Sequence, residues 1–215
     1  MTYIFDEKNS VLNKFIAQLR DEKIQKDSMR FRKNLERIGE LAAYEISKTL
    51  NYSKTEVVTP LGLSDVYVPD EQIVIASVMR AGLPLHNGFL NIFDDAQNAF
   101  ISAYRKYHDD NTFEISSESV SSPNLDGKTL ILVDPMLATG SSMIVAYKSL
   151  LKKGKPKHVH IFSIIASKEG VEYVEMNFPN KKFTLWLGSV DDELTAHAYI
   201  VPGLGDAGDL AYGEK

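Results

Sequence analysis

Five continuous apolar runs in the last two thirds of the chain most constrain its fold. The runs lie at residues 73–76, 99–101, 130–133, 161–165 and 183–187. Because polar residues do not alternate within them, they are typical of strands buried on both faces of a parallel sheet. Helical stretches are predicted between several of these runs, at residues 84–93, 142–153 and 168–177. Strands alternating with helices predict right-handed βαβ units and an α/β fold.

The N-terminal part has a different pattern. Residues 29–50 carry apolar side chains at steps of three and four, which predicts one buried helix face. This face consists of Leu35, Ile38, Ala42, Ile46 and Leu50. Residues 56–59 and 65–68 are short extended pieces around a Pro-Leu-Gly-Leu turn, which predicts a β-hairpin or arm. We therefore expect one domain over residues 1–215, with an N-terminal helical and β-arm extension.

Composition limits the class of protein. The chain has 215 residues, 44% hydrophobic and 25% charged, which is enough for one α/β domain. It contains no cysteine, so neither a disulfide nor a thiolate zinc site is expected, and its histidines share no metal-ligand spacing. The net charge of −5 argues against a nucleic-acid partner. No apolar run has the length of a signal peptide or a membrane span, so we expect a cytoplasmic protein without membrane contact.

The segment after the third apolar run is the most informative for function. A buried strand ends at Asp134, and a loop of small residues then enters a helix at Gly140. Free backbone N–H groups at such a helix start can bind a phosphate, together with the hydroxyls of Thr139, Ser141 and Ser142. Asp134 is better suited to sugar hydroxyls or to the water shell of magnesium. An ordinary helix N-cap is the alternative interpretation of this segment. The segment has neither the lysine of a P-loop nor the glycine fingerprint of a dinucleotide site, so those two nucleotide folds are poor fits.

The C-terminal residues 199–209 form a second candidate binding segment. Three glycines and a proline predict a loop shaped by its backbone, and such loops bring N–H and C=O groups close to a ligand. A flexible tail is the alternative, although Ile200, Val201 and Leu204 are apolar residues that a free tail has little reason to carry.

Two arginines follow predicted strands and are candidates for a second anion site. Arg80 follows the first run within Arg-Ala-Gly-Leu, and Arg105 follows the second run beside Lys106. A guanidinium presents a planar fork that suits phosphate oxygens. A surface location is the alternative for either arginine.

Together these motifs resemble the uracil phosphoribosyltransferases of the type I phosphoribosyltransferase fold. The run LVDPMLATGS, ending at Ser141, is similar to their phosphoribosyl pyrophosphate loop, in which Asp-Pro is specific to the uracil branch. The run GLGDAGD, ending at Asp209, is similar to their uracil-binding segment. Residues 19–21, 30–32 and 44–45 follow the family order, so the resemblance covers nearly the whole chain.

The resemblance implies a type I phosphoribosyltransferase-like parallel sheet flanked by helices, with a C-terminal hood loop over the base. It implies transfer of the phosphoribosyl group of phosphoribosyl pyrophosphate to uracil, giving UMP and pyrophosphate. It further implies Mg²⁺ bound mainly through the donor, a homodimer or larger homo-oligomer and, as an open possibility, a GTP activator.

Catalytic roles are expected for Asp206, Arg105 and Asp134. The expected donor-binding residues are Arg80, Arg105, Asp134, Pro135, Met136, Leu137, Ala138, Thr139, Gly140, Ser141 and Ser142. The expected base-binding residues are Ile200, Gly205, Asp206 and Ala207.

Several features depart from this pattern or leave alternatives open. Leu210 stands where the family has a basic residue, which favours a nucleotide-sensing regulator on the same fold as the alternative to an enzyme. A purine phosphoribosyltransferase is a second alternative, against which the Asp-Pro loop argues. Residues 191–193 are acidic and predict a solvated turn, and residues 55–69 are a candidate arm that closes over the site.

Overall fold

A computed structural model describes residues 1–107, 113–179 and 182–214. Within these ranges it describes the side chains of all residues except 103–107 and 113–118. The N-terminal part contains β1 (Thr2–Ile4), α1 (Val11–Arg20), α2 (Ser28–Ser47), β2 (Tyr52–Thr59) and β3 (Gly62–Pro69). The middle part contains β4 (Ile73–Met79), α3 (Gly82–Leu90), β5 (Gln97–Tyr107), β6 (Phe113–Ser121), β7 (Thr129–Val133), β8 (Met136–Leu137) and α4 (Ser141–Leu150). The C-terminal part contains β9 (His158–Ser167), α5 (Lys168–Asn177), β10 (Phe183–Asp191), β11 (Glu193–Leu194), β12 (Ile200–Val201) and α6 (Ala207–Tyr212). All five apolar runs lie within strands of the central sheet.

The central sheet confirms the predicted α/β fold. Its strands lie in the order β1-β10-β9-β7-β4-β5-β6, and β8 pairs with β9. Every pairing is parallel except that of β5 with β6, which is antiparallel. The strands β1 and β6 were not predicted. Because β7 and β4 are central neighbours, their carboxyl ends bring the loops at residues 134–140 and 80–81 to one edge of the sheet.

Apolar side chains fill the space on both faces of the sheet. Within β4, Ile73 and Ile75 belong to a core that α1, α2 and α3 cover. Val74 and Ala76 point to the opposite core, which α4 and α5 cover. This alternation explains why the runs are continuously apolar, since each strand has helices on both sides. Helices α2 and α3 pack so closely that a Cβ on Gly88 would lie 2.0 Å from the carbonyl oxygen of Glu36.

The N-terminal elements agree with prediction in part. Strands β2 and β3 form the predicted antiparallel hairpin, and α2 ends three residues before the predicted limit. Helix α1 was not predicted, although Ser10 caps it in a capping box with Asn13. Across the described ranges, no helix has the length and apolar character to cross a membrane.

Candidate functional site

A cavity of about 450 Å³ lies at the carboxyl edge of the sheet. Three separate segments line it, at residues 78–81 at the end of β4, 134–143 after β7 and 198–208 near the C-terminus. These segments carry the motifs that the sequence singled out. Of the candidate residues, those lining the cavity are Arg80, Asp134, Met136, Leu137, Ala138, Thr139, Gly140, Ser142, Ile200, Gly205, Asp206 and Ala207. The hairpin at residues 55–69, the candidate closing arm, contributes no residue to this lining.

The loop between β7 and α4 is held in place by α5. Gly140 precedes the first residue of α4 with a φ of 75°, a conformation that favours glycine. Ser167 donates a hydrogen bond of 2.6 Å from its hydroxyl to the carbonyl oxygen of Ala138. A Cβ on Gly170 would lie 2.2 Å from that same oxygen. The loop is thus packed closely against α5, so the helix start faces the cavity in a fixed geometry.

The hydroxyl groups of the loop are not equivalent. Thr139 and Ser141 share a hydrogen bond of 2.6 Å between their side-chain oxygens. Ser142 lines the cavity and Ser141 does not. Pro135 also lies outside the lining, and its carbonyl oxygen accepts hydrogen bonds from the backbone N–H groups of residues 164 and 165, both 3.0 Å. Pro135 therefore fixes the loop on β9.

The carboxyl group of Asp134 is the most perturbed acid of the site. Desolvation by burial raises its pKa to about 7, and one backbone hydrogen bond from Met136, at 3.2 Å, opposes the shift. The residue remains partly accessible from the cavity it lines. An acid with this pKa favours partners that stabilise its charge, such as sugar hydroxyls or a cation.

Arg80 links the cavity to the C-terminal helix. Its Nη2 donates to the Asp209 carboxylate at 3.1 Å and to the carbonyl oxygen of Gly213 at 3.0 Å. The Nε group is buried and has no hydrogen-bond partner within the described part of the chain. Arg80 therefore retains a donor for an anion. The second candidate arginine, Arg105, lies in β5, but its side chain is outside the described residues, as are the neighbouring Lys106 side chain and residues 108–111.

The C-terminal segment contains β12 and then a loop that ends at Asp206. The expected loop through residue 209 is wrong beyond this point, because α6 begins at Ala207. Asp206 caps the helix: its Oδ1 accepts from the N–H groups of Gly208, at 2.8 Å, and Asp209, at 3.0 Å. A carboxylate at an N-cap offsets the low helix propensity of this glycine-rich sequence. The same residue thus lines the cavity and fixes the helix beside it.

Helix α6 is anchored through apolar and backbone contacts. Leu210, which replaces a basic residue of the family pattern, is partly buried against the core that includes Ile200, Leu204 and Ala211. Arg32 donates a hydrogen bond of 2.6 Å to the carbonyl oxygen of Ala211. Leu210 therefore contributes to the packing of α6, and the C-terminal segment is not a flexible tail.

The acidic residues 191–193 agree with the expected solvated turn only in part, because Asp191 is buried. Asp191 ends β10 with only 7% of its surface exposed, and it pairs with Arg20 of α1. Asp192 and Glu193 are both exposed, and Asp192 forms an ion pair with Lys168. The sequence signal for the buried pair is weak because 171 positions separate its members.

Two histidines of β9 lie together at the opposite edge of the sheet. The rings of His158 and His160 have centroids 4.6 Å apart, and both line a second cavity of about 350 Å³. Trp186 donates to Nδ1 of His160 at 3.1 Å. Among the residues that the structure describes, no group of three histidine or acidic side chains is arranged to hold a metal ion.

Comparison with known proteins identifies the family of the chain. The family model described as uracil phosphoribosyltransferase matches residues 7–214. A protein named uracil phosphoribosyltransferase from Porphyromonas gingivalis is 55% identical over 207 residues, which cover 96% of this chain and 95% of that protein. Among solved structures, the AQ2163 protein from Aquifex aeolicus has a TM-score of 0.88 at 30% identity, covering 99% of this chain and 98% of that one.

A more distant structure shows the wider fold. The adenine phosphoribosyl transferase from Trypanosoma brucei, solved in complex with AMP, pyrophosphate and ribose-5-phosphate, has a TM-score of 0.53 at 10% identity. It covers 88% of this chain and 83% of that one, so the likeness is one of fold alone. The match of the family model over residues 7–214 is decisive: the chain belongs to the uracil phosphoribosyltransferase family.

Proposed function

We propose that the chain transfers the phosphoribosyl group of phosphoribosyl pyrophosphate to uracil, giving UMP and pyrophosphate in pyrimidine salvage. One observation carries the proposal: a single cavity joins the helix start after β7, the arginine after β4 and the C-terminal glycine-rich segment. The family supplies the substrates, since the Porphyromonas gingivalis relative is named uracil phosphoribosyltransferase. In the reaction, the bond from ribose C1 to the pyrophosphate oxygen breaks, a bond from C1 to uracil N1 forms, and N1 loses a proton.

The donor is proposed to lie along the loop between β7 and α4. The backbone N–H groups that follow Gly140 have no partner within the helix, so they can hold the 5-phosphate, assisted by the hydroxyls of Thr139 and Ser142. Ser141 would act through its hydrogen bond to Thr139. Asp134, at the end of β7, is placed to accept hydrogen bonds from the ribose hydroxyls. Binding there would stabilise its ionised form, which burial disfavours in the free protein.

Stabilisation of the leaving pyrophosphate is assigned to arginine and magnesium. The unpartnered Nε of Arg80 supports a contact with the pyrophosphate oxygens, and Arg105 is proposed for the same role on the family resemblance. When bound with the donor, Mg²⁺ would supply further positive charge against the charge growing on the leaving group. Among the described residues, the acidic side chains of the cavity lining are Asp134 and Asp206, and Oδ1 of Asp206 already accepts two backbone hydrogen bonds. This small number of free carboxylate oxygens supports a metal held mainly by the donor's own oxygens.

The base is proposed to bind against the main chain of residues 200–207. Ile200, Gly205 and Ala207 line the cavity there, and their backbone groups can match the carbonyl and N–H groups of uracil. Because Oδ1 of Asp206 accepts two backbone hydrogen bonds, we assign Asp206 to orienting the base.

The test is an assay of nucleotide formation with the purified protein. Phosphoribosyl pyrophosphate and Mg²⁺ are supplied with uracil, cytosine, hypoxanthine or adenine, and UMP is expected from uracil alone. Asp134→Ala and Arg105→Ala should abolish the product, whereas the control Asp126→Asn, an exposed acid outside the cavity lining, should retain it. Formation of another nucleotide would refute the choice of base. Donor binding without product from any base would instead favour the regulator.

Self-association and activation by GTP extend this proposal. The family resemblance supports a homodimer or larger homo-oligomer, and the exposed apolar side chains of the hairpin agree with it, with Val58, Leu61 and Leu63 exposed by 80%, 100% and 66%. Light scattering at several protein concentrations tests the oligomer. Titration of the UMP-forming reaction with GTP tests activation, and an unchanged rate would refute it.

A further inference from the structure

A partly buried ion pair between Arg20 and Asp191 contacts the C-terminal segment beside the cavity. Arg20 is the last residue of α1 and Asp191 the last residue of β10. The two terminal nitrogens of Arg20 each donate to one carboxylate oxygen of Asp191, both at 2.7 Å. Arg20 also donates to the hydroxyl oxygen of Ser189 at 3.0 Å. Neither charged residue belongs to the lining of the cavity.

The same pair forms hydrogen bonds with both backbone groups of one residue, Gly203. Asp191 accepts a hydrogen bond of 2.9 Å from the N–H of Gly203, and Arg20 donates one of 2.9 Å to the carbonyl oxygen of Gly203. Gly203 has a φ of 56°, and a Cβ there would lie 2.1 Å from the carbonyl oxygen of Ile200. The chain thus turns tightly at the residue that the ion pair holds.

The position of this turn connects the ion pair to the base site. Ile200 lies three residues before Gly203 and Gly205 two residues after it, and both line the cavity. A shift of Gly203 would therefore move the backbone groups on either side of it. Because a base recognised by main-chain groups depends on their placement to within a fraction of an ångström, the ion pair controls the site without touching the ligand.

We infer that Arg20 and Asp191 are positioning residues that set the geometry of the base site. This inference rests on the proposed function, since it assigns the base to residues 200–207. A planar guanidinium is required because it makes the bidentate pair and the bond to Gly203 together, which a lysine ammonium cannot reproduce. A role limited to stability would instead lower the folded fraction and leave the affinity for uracil unchanged in the molecules that remain folded.

The experiment compares Arg20→Lys and Asp191→Asn with the wild type. The KM for uracil, kcat and the binding of phosphoribosyl pyrophosphate alone are measured for each protein. The matched control is Asp192→Asn, which breaks the neighbouring but exposed pair with Lys168. We expect Arg20→Lys and Asp191→Asn to raise the KM for uracil by roughly tenfold or more. The affinity for the donor and all properties of Asp192→Asn should stay within about twofold of the wild type.

The possible outcomes separate the inference from the proposed function. A wild-type protein that makes no UMP overturns the proposed function, and the inference with it, before any variant is measured. An active wild type whose KM for uracil does not change in the two variants overturns the inference alone. If both variants fail to bind the donor because they do not fold, Ser189→Ala replaces them, since it removes only the bond of 3.0 Å to Arg20. An unchanged KM for uracil in that variant overturns the inference.

Discussion

Replacing Asp134 by asparagine should stabilise the free protein while abolishing its reaction. Burial raises the pKa of Asp134 to about 7, against 3.8 in an unperturbed carboxyl group. The folded state therefore binds this proton more tightly than the unfolded state does. The contribution of Asp134 to the free energy of unfolding is highest below pH 3.8, falls as the pH rises from 3.8 to 7, and is constant above that range. The gap of about 3 units corresponds, at about 1.36 kcal/mol per unit, to a cost of at most about 4 kcal/mol at pH 8.

Asparagine removes this cost because it stays neutral at every pH. Its side-chain oxygen can still accept the hydrogen bond from the N–H of Met136. At pH 5 the unfolded wild type is already ionised at this position while the folded form is mainly protonated, so part of the cost is present. We therefore expect the advantage of Asp134→Asn over the wild type to grow by about 2 to 3 kcal/mol between pH 5 and pH 8.

Urea denaturation of both proteins at pH 5 and pH 8 measures this difference, and other titrating groups cancel in the comparison. Asp126→Asn is the control: backbone hydrogen bonding to Lys155 lowers the pKa of Asp126, so that carboxyl group is ionised in both states at both pH values. Its effect should not change between pH 5 and pH 8. An advantage of Asp134→Asn that is the same at both pH values would show that Asp134 is ionised in the free protein at pH 5, and would refute the reasoning.

Two further predictions concern the donor loop and the opposite edge of the sheet. Gly170→Ala should weaken binding of phosphoribosyl pyrophosphate and lower the free energy of unfolding by about 1–3 kcal/mol, since its Cβ would lie 2.2 Å from the Ala138 carbonyl oxygen. Calorimetric titration and urea denaturation measure the two effects. The control Glu172→Ala, at an exposed position of the same helix, should change neither the affinity nor the stability. Burial lowers the pKa of His160 to about 3, so the stability that this neutral ring provides is lost as the pH falls from 6.5 to 3. His160→Gln, which can still accept from Trp186, should cut the loss between pH 7 and pH 5 by about 2 kcal/mol, and urea midpoints with equal pH dependence in both proteins would contradict this.

Local patterns were sufficient to predict most of the sheet and the loop between β7 and α4. The continuous apolar runs identified the strands buried on both faces, and the Asp-Pro loop before Gly140 identified one side of the cavity. Patterns of this kind depend only on neighbouring residues. The prediction therefore succeeded where the local sequence determines both burial and turn geometry.

Elements that depend on distant partners were missed. Strand β1 has three residues and exists only through its pairing with residues 185–187 of β10. Strand β6 is an antiparallel edge strand, rich in serine, with no apolar run to mark it. From the local sequence Asp191 is predicted to be solvated, because its partner Arg20 lies 171 positions away in the chain. For α1 a local signal did exist, in the capping box at Ser10.

The pairing of β1 with β10 also has a consequence for how the chain acquires its structure during synthesis. Strand β1 cannot pair with the sheet before residues 185–187 of β10 have emerged from the ribosome. The hydrogen bonds from Arg20 to Asp191 and to Gly203 are subject to the same delay. Long-range closures of this kind raise contact order and slow folding. The C-terminal side of the cavity should therefore form last, after the strands that carry the loop between β7 and α4 have paired.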